Sequence, residues 1–157
     1  MTELDRNIAE GIKSHFADVV LEARVQRDLR IVVTVEKEHI LEVARYISSE
    51  VGFDHPASVA AVDYPMQGKI EVVYYIWSTS KRTFLALKTA IPRAEPKLNS
   101  LTPVWSGVDF HEREIYEMFG VSFTGHPNLR GLLLQEDWEG PPPLRKDFKL
   151  RTKLERG

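Results

Sequence analysis

Apolar residues recur at Leu4, Ile8, Ile12 and Phe16, a spacing that lays them along one stripe of a helix and predicts a helix over 2–16. Thr2 stands as its N-cap, with Asp5 in the capping-box position. The period then changes. Residues 19–25 and 29–35 are β-rich runs joined through Gln26, Arg27 and Asp28, and Leu29, Ile31, Val33 and Val35 alternate onto one face, as in a hairpin. Helical spacing returns at Ile40, Val43, Ala44, Ile47 and Val51, which predicts a second helix over 37–51 with Gly52 as its stop. A second hairpin follows, made of 58–64, a turn over 65–68, and 70–77. A fifth strand at 83–91 is ended by Pro92 and Pro96, because proline has no N–H to give to a ladder.

Thr102 as N-cap and Pro103 at the first helical position predict that a third helix begins there. Val104, Val108, His111, Ile115, Met118 and Phe119 line one of its sides, Asp109, Arg113 and Glu117 stack at i, i+4 on another, and Gly120 closes it. Gly107 weakens its middle by about 1 kcal/mol relative to alanine, which marks a kink or a close backbone contact. The order α-β-β-α-β-β-β, followed by this helix, has no internal repeat. Each element has a single apolar face to bury, so the fold class is α+β: a mixed, mainly antiparallel sheet with helices packed on one face. The pattern fails after residue 134. Pro141, Pro142 and Pro143 favour an extended segment, and six basic residues from Arg145 to Arg156 against Asp147 and Glu155 give a formal +4. The expected organisation is a globular domain over 1–134 and an extended C-terminal tail over 135–157 that lies along a partner and has few contacts with its own core.

Composition narrows the function. With 157 residues, 43% hydrophobic and 28% charged, the chain has the size of one domain with a real core. A net charge of -2 and pI near 6.2 give no overall basic field for nucleic acid. Zero cysteines exclude disulfides, thiolate metal sites and iron–sulfur ligation by this chain itself. The amphipathic, acidic N-terminus and the absence of any apolar run near the about 20 residues of a membrane span lead to the expectation of a cytosolic chain.

Candidate chemistry is sparse. His111-Glu112 begins the zinc pattern H-E-x-x-H, but Ile115 occupies the second histidine position, so a ligand is missing. Glu112 and Glu114 sit about 200° apart around a helix and cannot converge on one substrate. The cluster of Glu112, Glu114 and Glu117 therefore reads as a solvated or partner-facing charged face. No dinucleotide, P-loop or serine-hydrolase motif is present. His15, His39 and His55 read as surface or boundary histidines. His126 lies in the turn Gly125-His126-Pro127-Asn128 and reads as a structural hydrogen-bonding group rather than a proton carrier.

The string Glu112-Arg113-Glu114-x-x-Glu117-Met118-Phe119, then His126 and, after three residues, Arg130-x-Leu132-Leu133, resembles the signature of the thirty-kilodalton subunit family of respiratory complex I. Glu136-Asp137-Trp138-Glu139-Gly140 and Leu144-Arg145-Lys146-Asp147-Phe148 continue the likeness, and Ala61-Val62-Asp63-Tyr64 is similar to a weaker central pattern. Phe110 and the run of three prolines depart from it. The resemblance implies a non-redox scaffold subunit in the peripheral arm of a complex I-like, ion-translocating membrane oxidoreductase of the NADH-quinone type. It implies no catalytic site, metal or cofactor on this chain, with iron–sulfur clusters and nickel–iron or flavin centres on partner subunits. The partners implied are the large, hydrogenase-like subunit of the forty-nine-kilodalton type and the small iron–sulfur subunit, at the cytoplasmic face of the cell membrane, with membrane contact only through them. Glu112, Arg113, Glu114, Glu117, Phe119, His126, Pro127, Arg130, Trp138, Leu144, Arg145, Lys146, Asp147 and Phe148 are then the expected partner interface. The equivalent subunit of an archaeal membrane-bound hydrogenase or deazaflavin dehydrogenase is the alternative. A free-standing RNA-binding module with a basic arm is the distant rival, and it lacks aromatic stacking platforms beyond Phe148 after Trp138.

Overall fold

The computed structural model describes residues 2–27 and 30–150. Thr2 caps helix α1 (Glu3–His15), its hydroxyl accepting the Asp5 N–H at 3.2 Å. The buried stripe includes Ile8, Ala9 and Ile12, but at its start Asp5 takes the place expected of Leu4, which is 46% exposed. The cause is polar. The Asp5 carboxylate accepts hydrogen bonds from the hydroxyls of Thr2 and Thr83, and that draws it inward.

Strands β1 (Val20–Arg27), β2 (Arg30–Val35), β3 (His55–Tyr64), β4 (Lys69–Ser78) and β5 (Thr83–Pro92) form one sheet in the order β1-β2-β5-β4-β3. Only β2 and β5 run parallel; the remaining pairs are antiparallel. The alternation seen in the sequence is the alternation of faces. Ile31, Val33, Val35, Ile70, Val72, Tyr74, Ile76, Leu85, Leu87 and Ile91 point to the side covered by helices, whereas Val32, Val73 and Ala86 form a small cluster with Tyr75 on the other. The expected hairpin residues Asp28 and Leu29 lie outside the described residues.

The second helix is composite. A 3-10 turn (Lys37–His39) leads into α2 (Ile40–Tyr46), which widens into π turns (Ile47–Val51) before Gly52, at φ 84°, ends it. That ending carries Phe53 into the core, where it is fully buried.

Thr102 and Pro103 do not start the third helix. The N–H groups of Val104 and Trp105 both turn onto the Leu101 carbonyl, Trp105 is extended, and only after a 3-10 turn (Ser106–Val108) does α3 (Asp109–Phe119) begin. Trp105 explains the delay: its indole is buried and donates to the Phe53 carbonyl at 3.0 Å, which a helix running on from residue 103 would not allow. Gly107 has the close contact its sequence position suggested, since a Cβ there would stand 3.1 Å from the Pro56 ring. Two three-residue strands, β6 (Lys97–Asn99) and β7 (Ser122–Thr124), pair in parallel and flank α3 in the chain. From Gly125 to Leu150 there is neither helix nor strand.

Candidate partner interface around the third helix

Successive residues of an α-helix point about 100° apart, so the charges of α3 leave in different directions and serve different purposes. Glu112 points inward. It is fully buried and accepts hydrogen bonds from the Tyr74 hydroxyl (2.8 Å), the Leu101 N–H (2.8 Å) and the Ser100 hydroxyl (2.6 Å). Burial pushes its carboxyl above the ordinary range, and the bonds from Ser100, Leu101 and Tyr74 pull the other way. The same burial, with the negative charge beside it, raises the Tyr74 phenol. The expectation of a solvated or partner-facing Glu112 is therefore corrected: three donors from the sheet and the loop before α3 hold it in the core. Glu114 is exposed.

Arg113 and Glu117 were expected to face each other one turn apart, and instead both face the loop after residue 129. Arg113, 6% exposed, donates to the carbonyls of Arg130 (3.2 Å) and Gly131 (2.8 Å), and its guanidinium lies over the Phe110 ring at 5.5 Å. Glu117 accepts the N–H groups of Leu132 (3.2 Å), Leu133 (2.7 Å) and Leu134 (3.0 Å). One helix thus holds the loop by both polarities of its backbone. Three consecutive amides converging on one carboxylate fix the loop's path.

At the other end of α3, the His126 side chain is enclosed. Its Nδ1 accepts the Asn128 N–H at 3.0 Å, which leaves the proton on Nε2, and Nε2 donates to the Asp109 carbonyl at 3.1 Å. Oδ1 of Asp109 is equally near but outside hydrogen-bonding geometry, and it is buried without a partner. Both ring nitrogens are engaged, as a structural histidine requires.

Residues 142–148 fold back on the domain, contrary to the expectation of a tail with few contacts of its own. The Leu144 N–H donates to the Met118 carbonyl (2.9 Å) and the Arg145 guanidinium to the Phe119 carbonyl (2.7 Å), closing the C-terminus of α3. Gly120, at φ 74°, lies beneath Pro142 and Arg145. The Lys146 N–H donates to Asp63 (2.9 Å), whose inaccessible carboxylate is held by Arg93 through Nε (2.7 Å) and Nη2 (3.0 Å); Nη2 also reaches Asp147 at 2.9 Å. The bonds from Arg93 hold the Asp63 carboxyl below the ordinary range and raise the guanidinium in turn. The charges of Arg145 and Asp147 looked aimed at a partner because their acceptors and donors lie 26 and 54 residues away in the chain. Lys146 and Leu144 point outward, and Phe148 packs near Trp138 with ring centroids 6.2 Å apart.

A cleft of about 920 Å³ opens between α3 and residues 130–142, lined among others by Arg113, Tyr116, Glu117, Arg130, Leu134 and Trp138. His126 and the exposed Pro127 lie at the opposite end of the helix and do not reach it, and Phe119 packs against the core. Of the nine large apolar side chains exposed among the described residues, Phe110, Tyr116, Leu133, Trp138 and Leu144 belong to α3 or to segments tied to it. Tyr74, Ser100, Asp63 and Arg93 escape the sequence reading as site residues; only Asp63, inside Ala61-Val62-Asp63-Tyr64, had been touched by it.

A family model described as the respiratory-chain NADH dehydrogenase, 30 Kd subunit, matches residues 33–154. The chain belongs to this family. It is 38% identical over 144 residues to a subunit of the F(420)H(2) dehydrogenase of Methanosarcina mazei, covering 92% of this chain and 91% of that one. It is 39% identical over 147 residues to a subunit of the NADH-quinone oxidoreductase of a Roseiflexus species, covering 91% and 83%. A chain in the structure of the membrane-bound sulfane sulfur reductase, an archaeal respiratory membrane complex, superposes with a TM-score of 0.84 at 27% identity over 94% of this chain and 87% of that one. The trypsin-resistant fragment (1-134) of Nqo5 shares the fold, with a TM-score of 0.67 at 23% identity over 82% of this chain and all of that one. In this member of the respiratory-chain family, no helix among the described residues is long and apolar enough to cross a membrane, and no three His, Cys, Asp or Glu side chains among them converge as metal ligands would.

Proposed function

We propose that the chain is a non-redox scaffold subunit of a complex I-like membrane oxidoreductase, docking through α3 and residues 130–148 on the large hydrogenase-like subunit and, beside it, the small iron–sulfur subunit. The observation that carries this reading is the concentration of exposed Phe110, Tyr116, Leu133, Trp138 and Leu144 on one helix and on the segments that Arg113, Glu117 and Asp63 hold against the domain. Large apolar groups on an ordered surface are what a stable protein interface uses as its anchors. Electrons then pass through centres on the partners while this chain holds their arrangement at the cytoplasmic face of the membrane, and the outward side chains of residues 135–148 add to the docking surface. Similarity to the F(420)H(2) dehydrogenase subunit and to a chain of the sulfane sulfur reductase complex supports an archaeal-type complex as a second form of the same role.

The test is purification of the tagged full chain from its native membranes. Co-purification of a large oxidoreductase subunit and a small iron–sulfur subunit is expected, with the isolated chain blank in metal analysis and visible absorption. Stoichiometric iron, nickel or flavin on the isolated chain, or recovery of the chain alone from membranes that hold the active complex, would overturn the proposal.

A further inference from the structure

The cleft between α3 and residues 130–142 has an uneven balance of donors and acceptors. Arg113 forms its floor; its Nε and Nη2 are bonded to two neutral carbonyls, and no carboxylate lies within ion-pair distance of it among the described residues. A guanidinium carries five N–H donors, so three of them remain without a protein acceptor. Arg130 lines the same cleft, and its exposed side chain enters no ion pair or hydrogen bond among the described residues. Glu117, the carboxylate beside Arg113, already serves three backbone N–H groups. Glu136 stands exposed at the rim. Tyr116 on the helix and Leu134 and Trp138 on the facing segment add apolar surface to the same cleft.

We infer that this cleft seats one segment of the neighbouring subunit, which presents an Asp or Glu carboxylate to Arg113 and Arg130 and an apolar side chain to Tyr116, Leu134 and Trp138. This rests on the docking role proposed above and names the chemistry of its contact. A wholly apolar segment would dry the guanidinium donors without pairing them, at the cost of their desolvation. A basic segment would meet two like charges. An acidic side chain can take both guanidinium groups in bidentate geometry. The cleft's volume of about 920 Å³ lies at the upper end of the about 300–1,000 Å³ typical of small-molecule clefts and cavities, which leaves room for several side chains rather than one. The apolar surface is built in advance: Leu134 is fixed by Glu117, and Trp138 packs against Gly140, where a Cβ would come within 2.7 Å of the indole.

The experiment uses the tagged full chain in its native host. A photoreactive p-benzoylphenylalanine replaces Trp138 in one variant and Gln135, also on the cleft, in a second; a control carries it at Met66, 98% exposed on the β3–β4 turn. After illumination, both cleft positions are expected to join a single peptide of the co-purifying large subunit that contains Asp or Glu, and Met66 is expected not to join it. Arg130→Glu should lower recovered complex by about tenfold or more, and reversing the crosslinked acid to Lys should restore it. Assembled complex in which neither cleft position crosslinks to an acidic peptide, or full assembly of the Arg130→Glu variant, overturns the inference and leaves the docking role standing. Absence of any co-purifying subunit overturns both.

Discussion

Glu112→Leu is the sharpest test of the buried network, because it removes one acceptor from three donors. The Ser100 hydroxyl has a second partner, the Thr102 hydroxyl at 2.8 Å, and can turn to it. The Tyr74 hydroxyl and the Leu101 N–H have none other in the network and would be stranded inside the protein. A stranded buried donor costs about 1–3 kcal/mol, so the two cost about 2–6 kcal/mol. Part of this is offset because leucine, unlike a carboxylate, is not penalised by burial, and a net loss of about 2–4 kcal/mol is expected. That is a large share of the about 5–15 kcal/mol that holds an ordinary domain together. Glu112→Gln should lose much less, since its amide oxygen can face Tyr74 and Leu101 while its NH₂ donates to Ser100. Urea unfolding followed by tryptophan fluorescence separates the two. The pH dependence adds a second readout. Folding raises the Glu112 carboxyl above its ordinary 4.5, so the native state favours the protonated form. The stability this contributes is greatest below pH 4.5 and is lost as pH rises through the folded value. The stability of Glu112→Gln relative to the unsubstituted protein should therefore increase from about pH 4 towards neutrality. A leucine variant within about 0.5 kcal/mol of the parent, or a glutamine difference that is flat or falls with pH, would refute the account of Glu112 as a buried, burial-shifted acceptor.

Three further outcomes follow from the same contacts. Glu117→Gln sets an NH₂ group against backbone N–H donors, so the amides of Leu132, Leu133 and Leu134 should lose hydrogen-exchange protection while the strands keep theirs, with a cost of about 1.5–3 kcal/mol for each charged bond lost; unchanged protection at those amides would contradict the clamp. Arg93 holds Asp63 below its ordinary 3.8, so the stability this gives the 142–148 segment is present above pH 3.8 and lost as pH falls through the folded value; protection of the Leu144 and Lys146 amides should fall in that acid range, and should be absent at neutral pH in Asp63→Asn. Gly120→Ala places a Cβ at φ 74°, 3.0 Å from Pro142 and 3.2 Å from Arg145, and should cost at least the about 1–2 kcal/mol of a left-handed residue, read as a lower melting temperature.

The elements with a clear period were legible in the sequence and the site was legible only in part. Ile40, Val43, Ala44 and Ile47, or Ile31, Val33 and Val35, bury one face whatever surrounds them, so their period is a direct image of the fold. Thr102-Pro103 misled because a cap followed by proline is a local preference worth about 1 kcal/mol, and the burial of Trp105 with its indole bonded to Phe53 outweighs it. β6 and β7 are too short to show any alternation. The charged residues of α3 were found by their motif, but not their directions. Tyr74 lies 38 residues from Glu112 and Asp63 lies 83 from Lys146, and no spacing rule links such pairs.

Those directions change what a charged signature means in a docking subunit. Arg113, Glu117, Arg145 and Asp147 each find their partner within this chain, three of them on its backbone or helix end and the fourth on Arg93. None needs another subunit to hold its side chain in place, so the loop 130–134 and the segment 142–148 are ordered before docking. Association normally has to offset about 0.5–1.5 kcal/mol for every flexible side chain it immobilises, and ordering a loop adds to that. An arrangement in which Glu117 already fixes the backbone beneath Leu133, 61% exposed, removes that cost from the encounter and leaves the leucine as a fixed apolar projection. Substituting a clamp residue and substituting an outward residue should then weaken assembly by different routes. Glu117→Gln should slow association and lower the stability of the free chain, because a disordered loop must be captured. Leu133→Ala should leave the free chain as stable as the parent and speed dissociation, because only a contact is lost. Equal effects of the two substitutions on the melting temperature of the free chain would mean that the loop packs for its own fold rather than for a neighbour.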